Sequence, residues 1–180
     1  SSSSAASDVY KRQILVSYAN LEIDLMHCVK VINDNLDTAL KAMFRSRGET
    51  QRILVADALG RQQYKKIGLG TEFEMAIGSM TICKNIRNQY AHCNWWDDRT
   101  GKLAFANLEE ISKSNDQITD LSGLTARYVD ITLLTEQFKF FEYTSDLFYW
   151  LLNHYNELDG KPFHPNVKKP KHLKNPRFHI

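Results

Sequence analysis

All four prolines of this 180-residue chain, Pro162, Pro165, Pro170 and Pro176, lie near its end, and none interrupts the residues before them. Through that uninterrupted stretch apolar residues recur at threes and fours, the period of an amphipathic helix rather than of a strand. Such a chain is constrained to fold mainly as helices. Proline, which removes a backbone donor and fixes φ, marks a separate tail. The expected organisation is a low-complexity leader over residues 1–13, a helical domain over 14–160 and a basic Pro/Lys-rich tail over 161–180.

Tyr18, Leu21, Leu25, Val29, Ile32, Leu36, Leu40 and Met43 predict one long amphipathic helix from Leu15 until Gly48 ends it. A second helix is expected from about Thr50 to Lys66. Gly68-Leu69-Gly70 then breaks the chain, and Thr71 is a suitable N-cap for a third helix carrying Phe73, Ala76, Ile77, Met80 and Cys83. A turn around Asp98 to Gly101, between Trp95-Trp96 and Leu103-Ala104-Phe105, predicts a small β-hairpin, with Tyr128-Val129 as a short strand beside it. Leu108 to Thr125 reads as polar and irregular. The last helix, Ile131 to Leu158, holds Leu133, Leu134, Phe138, Phe141, Leu147, Phe148, Leu151 and Leu152. Its aromatics exceed the needs of one face, so it is expected to pack against the bundle and against a second subunit. The expected fold is mainly all-α: a four- to five-helix bundle with a small β-hairpin after the third helix.

At 43% hydrophobic residues the chain can build a substantial core and is not expected to be disordered. Three scattered cysteines, Cys28, Cys83 and Cys93, form no C-x-x-C pair and fit a reducing compartment. No apolar run approaches the ~18 residues of a membrane helix, so a cytoplasmic protein with no membrane partner is expected. The formal charge of +2 hides an asymmetry, because residues 161–180 hold six Lys or Arg and no acid, leaving the rest net acidic. Two readings of that tail stand: a solvated, disordered end, or a salt-sensitive attractor of RNA phosphates. Ser1 to Ser7 is a Ser/Ala lead, and Asp8 to Gln13 corresponds to one reading frame of a sequencing adapter. The start is therefore expected to be an assembly artefact or a leader, without function.

Chemistry concentrates in Lys84 to Trp96, where Arg87-Asn88-Gln89-Tyr90-Ala91-His92 falls in the last turns of the third helix. Five residues at 100° each set Arg87 and His92 about 140° apart, whereas Asn88 and His92, four apart, share a face. A guanidinium matches phosphate oxygens with a planar fork of donors, and an imidazole moves protons near neutral pH. With nine Arg and six His in the chain, chance supplies about 0.3 Arg-x4-His matches, and about 0.02 once Asn must follow the Arg. Tyr90 reads as packing or as a substrate contact. Trp95 and Trp96 read as a cover for the end of the bundle or as stacking platforms for unpaired bases. The His27-Cys28 and His92-Cys93 dipeptides do not make a zinc spacing, and no metal or other cofactor is expected.

Arg-Asn-x-x-Ala-His near a helix end, inside a helical domain of this size, resembles the signature of the HEPN (higher eukaryotes and prokaryotes nucleotide-binding) superfamily. The resemblance spans roughly Leu15 to Leu158, though its specific part is six residues. It implies a helical bundle, commonly dimeric, many of whose relatives are metal-independent endoribonucleases of toxin–antitoxin, abortive-infection and other defence systems. It places the Arg-x4-His pair on Arg87 and His92 and the polar residue that often follows the Arg on Asn88. It further implies that two motifs meet across a homodimer interface to cut RNA, with His92 as general base or acid and Arg87 holding the developing charge. Some relatives carry a modifiable Tyr two residues beyond the His; here that position is Asn94, which argues against that control. Expected partners are an RNA substrate, a second copy and an antitoxin or regulatory protein. The alternatives are a non-cleaving HEPN-like dimer that binds RNA or a nucleotide, and a purely structural helical adaptor.

Overall fold

The protein, analysed as a computed structural model, is described over residues 2–97, 99–113, 117–120 and 125–180, with side chains from residue 8 onward. The described residues form six helices and a small antiparallel sheet: α1 (Ser2–Asn33), α2 (Leu36–Phe44), α3 (Glu49–Lys66), α4 (Gly70–His92), β1 (Asn94–Asp97), β2 (Leu103–Ala106), α5 (Leu108–Ser112), β3 (Arg127–Val129) and α6 (Ile131–Leu158). The fold is mainly helical, as the periodicity predicts, and the hairpin and third strand fall where turn and β-branched residues place them. β2 is central, pairing Trp95 with Phe105 on one side and Leu103 with Val129 on the other.

Three local expectations change. The single long helix is two, because Asp34 adopts φ 51° and Asn35 caps a new helix, its side chain accepting from the Thr38 amide at 2.9 Å. Asp and Asn tolerate left-handed backbone and compete for backbone donors, so Asn33-Asp34-Asn35 ends α1 despite the continuing apolar pattern. Thr71 is not the cap of α4. That helix starts at Gly70 with Leu69 in the cap position and no side-chain bond, after Gly68 at φ 88° makes the turn. Part of the stretch read as irregular is α5, capped by Asn107, which accepts from the Glu109 amide at 3.0 Å. Asp98 of the hairpin turn, residues 114–116 and 121–124 of that stretch, and the side chains of the Ser/Ala lead lie outside the described residues.

α1 packs along α6, and α3 along α4. At the centre the wholly buried Tyr64 stacks on Phe73 at 4.4 Å, meets Tyr155 edge-on at 5.0 Å and donates its hydroxyl to the Cys28 carbonyl at 2.8 Å. The start of the described side chains is part of this packing too, with Tyr10 edge-on to Phe138 at 6.1 Å and Ile14 fully buried. No described helix is long and apolar enough to cross a membrane.

The Pro/Lys-rich segment is exposed to solvent over most of its length but is docked on the bundle. It runs back along α6 without regular secondary structure, antiparallel to that helix, and is tied at successive turns. Asn153 and His164 exchange two hydrogen bonds, 3.0 and 2.7 Å. Lys169 bonds Glu72 at 3.0 Å and lies 5.0 Å over the Trp150 ring. His172 meets Tyr143 edge-on, and Gln137 donates to the carbonyls of Arg177 and Phe178 at 2.8 and 3.3 Å. Aromatics beyond one face of α6 are thus partly covered by the chain's own tail. Prolines suit this course, because they bring no backbone N–H that an irregular segment would leave unpaired.

Candidate active site

The last two turns of α4 divide by face. Ile86 and Tyr90, four apart, point into the core at 0% and 7% exposure. Asn88 and His92, also four apart, line an open groove of about 650 Å³ between the end of α4, α5, β3 and the tail. Arg87 is not among the residues lining that groove. Its Nη1 lies 3.0 Å from the Glu49 carboxylate of α3 and donates to the Asn88 Oδ1 at 3.1 Å, and the guanidinium sits 5.9 Å from the Tyr18 ring. The separation of about 140° along the helix is therefore bridged by Asn88, which touches Arg87 and faces the groove with His92. The Nε and Nη2 of Arg87 make no hydrogen bond among the described residues, and the side chain is 25% exposed.

His92 is exposed at the C-terminal end of α4 and bonds nothing among the described residues. The backbone leaves helical geometry just beyond it, Cys93 adopting extended angles. The Cys93 thiol is raised by burial first and by Glu110 second, against a lowering by Arg127, so it is held away from the thiolate that nucleophilic chemistry requires. Cys83 is pushed up to about 12 by its burial. No set of three or more His, Cys, Asp or Glu suited to a metal occurs among the described residues.

Tyr90 and Trp95 are not presented to a substrate. Trp95 is sandwiched between Tyr90 at 5.0 Å and Phe105 at 4.5 Å, with the Lys11 ammonium 5.3 Å from its ring. Burial pushes the Tyr90 hydroxyl up, keeping it a donor to the Gln137 amide oxygen. The aromatic character of both residues serves the sheet–bundle junction, and only Trp96, 38% exposed on β1, keeps a free ring.

The groove also holds residues the motif does not point to. Asn85, Gln89 and Asn107 add carboxamides, and Glu109, Glu110 and Arg127 add charge of both signs. Phe178 and His179 enter from the tail, 86 and 87 residues beyond His92. Asn85 and Gln89 follow from helical spacing, but no local pattern announces the tail residues. On the other side of Arg87 lies a second polar cluster. Glu22, 8% exposed, takes two bonds from Arg52 at 2.8 and 2.9 Å, and the Tyr18 hydroxyl is buried without a hydrogen-bond partner among the described residues.

In the groove, Asn88 and His92 offer a phosphodiester an amide and an imidazole on one face of one helix, with the Arg87 guanidinium on the other side of Asn88. Compared with family models, curated protein sequences and solved structures, the chain finds no match in any of the three.

Proposed function

We propose that this chain is a metal-independent endoribonuclease of the HEPN type, acting as a homodimer in the cytoplasm, in a toxin–antitoxin or antiviral defence setting. The observation that carries this reading is the unpartnered His92 in an open groove, on the same face as Asn88, whose amide bonds Arg87. Deprotonation of a ribose 2′-OH lets that oxygen form a bond to the adjacent phosphorus. The P–O5′ bond then breaks as a proton reaches the leaving oxygen, giving a 2′,3′-cyclic phosphate and a 5′-OH. His92 carries one of those protons, Arg87 holds the charge that grows on the phosphorane oxygens, and Asn88 orients the pair.

The test is a random-sequence RNA oligonucleotide pool and its all-deoxy counterpart, each incubated with wild type and His92→Ala. The reading expects cleavage of RNA alone, by wild type alone. Cleavage of the deoxy pool would refute attack by the 2′-OH.

A second reading, a non-cleaving RNA- or nucleotide-binding dimer, is favoured by the Glu49 ion pair that already engages Arg87. Binding of the RNA pool by wild type with no cleavage at saturating protein would select it.

A further inference from the structure

We propose that Lys84, Arg45 and Arg47 form a basic tract that holds the RNA strand on the α3 side of the candidate site, at phosphates beyond the one that is cut. This rests on the reading of RNA as the ligand of that site and names further residues that bind it.

On α4, Lys84 stands one turn before the motif. At 100° per residue, Asn88 lies about 40° to one side of it and Arg87 about 60° to the other. A strand crossing the helix between those two side chains therefore meets Lys84 next. The Lys84 ammonium donates to the Thr50 hydroxyl in the first turn of α3 at 3.1 Å. That bond draws it toward α3 and uses only one of the ammonium's three donors. Arg87 reaches the same turn through Glu49. The loop leading into this turn from α2 carries Arg45 and Arg47, both exposed. Its two ends are tied together, because the Arg52 guanidinium of α3 lies 5.1 Å from the Phe44 ring at the end of α2.

Charge sets the direction of the strand. The acids of this region are already engaged, Glu22 by Arg52 and Glu49 by Arg87. Arg45, Arg47 and Lys84 have no acidic partner among the described residues, in a chain whose residues before the tail are net acidic. The groove itself differs, its lining holding Glu109 and Glu110 of α5 against Arg127 of β3. A polyanion leaving His92 is thus repelled on the α5 side and attracted on the α3 side. Cations that meet phosphates fix the course of a strand without reading its bases. In the homodimer proposed above each copy brings its own tract, and a two-fold axis sets the two on opposite sides of the shared site.

The experiment measures binding of a random-sequence RNA oligonucleotide pool to His92→Ala across a series of KCl concentrations. Adding Lys84→Gln should flatten the slope of log K against log[salt] by about 0.7, and adding Arg45→Gln and Arg47→Gln as well by about 2 in all, the value for single-stranded phosphate contacts. Binding should weaken alike for all sequences. The charge-keeping set Arg45→Lys, Arg47→Lys and Lys84→Arg should hold the slope. With His92 intact, the three Gln substitutions should raise KM rather than lower kcat. An unchanged slope in the Gln variants would overturn the inference, as would a loss confined to kcat or an equal change in Lys171→Gln with Lys174→Gln on the tail. His92-dependent cleavage with that unchanged slope would leave the ribonuclease reading standing. The expected change in slope with no cleavage by wild type would support the tract and overturn the ribonuclease reading. No binding of RNA even at about 50 mM salt, where phosphate contacts are strong, would overturn both.

Discussion

Replacing Gln137 by Leu tests how the tail and the candidate site are joined. Gln137 is fully buried, and its amide satisfies the Tyr90 hydroxyl on one side and the carbonyls of Arg177 and Phe178 on the other. Leucine fills a similar volume but offers neither acceptor nor donor. A buried hydroxyl that loses its acceptor costs about 1–3 kcal/mol, and a lost bond to the tail about 0.5–1.5 kcal/mol. The Phe178 carbonyl keeps its bond from Gln89, so only one tail bond counts in full. The substitution should therefore lower stability by about 2–4 kcal/mol, which for a chain of this size is a fall in Tm of about 5–15 °C. Urea unfolding should show a lower midpoint with the slope retained. Trypsin should also cut sooner at Arg177. Adding Tyr90→Phe removes the orphaned hydroxyl, so the double variant should lose less than the two singles together, by about 1 kcal/mol or more. A cost of Gln137→Leu under about 0.5 kcal/mol, or strict additivity in the cycle, would refute the clamp as the link between α4, α6 and the tail.

Other expectations concern the site, the core and pH. Arg87→Ala should lose about 100- to 1,000-fold in cleavage rate, as removal of a preorganised donor does, and His92→Ala ~100-fold or more; fragment yield over time on an RNA substrate measures both. In Gly60→Ala the new Cβ would stand 2.5 Å from the Phe73 ring, which is pinned by its stack on Tyr64. Overpacking of about 1–3 kcal/mol should then outweigh the helix-propensity gain of about 1 kcal/mol, and the urea midpoint should fall; a rise would show that the ring can retreat. Burial raises the Asp24 carboxyl against the lowering bond from Ser145 and the nearby His27. The folded state thus binds that proton more tightly than the unfolded state. This contribution is fully present below the unfolded value and is lost as pH rises through the folded one. Asp24→Asn should consequently be more stable than wild type at pH 7, the gap narrowing as pH falls toward the unfolded carboxyl range; a gap that widens in acid would reverse the sign.

How far the sequence foretells the fold depends on the range of the interaction. α4 and α6 follow from a period that each helix satisfies with its own residues, whereas α3 has the expected bounds but a different buried face, with Leu54 and Leu59 exposed and Ile53, Ala56, Gly60 and Tyr64 turned to the core. The boundary between α1 and α2 escapes that logic because the apolar pattern continues through it. Tyr18, Leu21, Leu25 and Val29 are buried, but Leu36 and Leu40 are 48% and 45% exposed, while Ala39 and Met43 face the core of α2. The register of the buried face changes at Asp34, and only Asn33-Asp34-Asn35 marks it. The site divides in the same way. Asn88 beside His92 is a matter of four residues on one helix, so spacing fixes it. The roles of Tyr90 and Trp95 depend on Gln137 and Phe105, partners a local pattern does not specify. The tail is the least legible part. Its basic, proline-rich composition matches a solvated end, and what docks it is a set of main-chain bonds to Asn153, Gln137, Gln89 and Tyr128, joined by the Lys169 and His172 side chains against Glu72, Trp150 and Tyr143. The main-chain bonds leave no trace in the side chains of the tail, and the partners of Lys169 and His172 lie on distant elements that no local pattern specifies.

The central claim is best tested by incubating purified wild type and His92→Ala with total cellular RNA in EDTA and mapping the fragment ends. Discrete fragments from wild type alone, carrying 2′,3′-cyclic phosphates and 5′-OH groups despite the chelator, are the predicted result. Fragments from both proteins, or cleavage by wild type that the chelator abolishes, would contradict it.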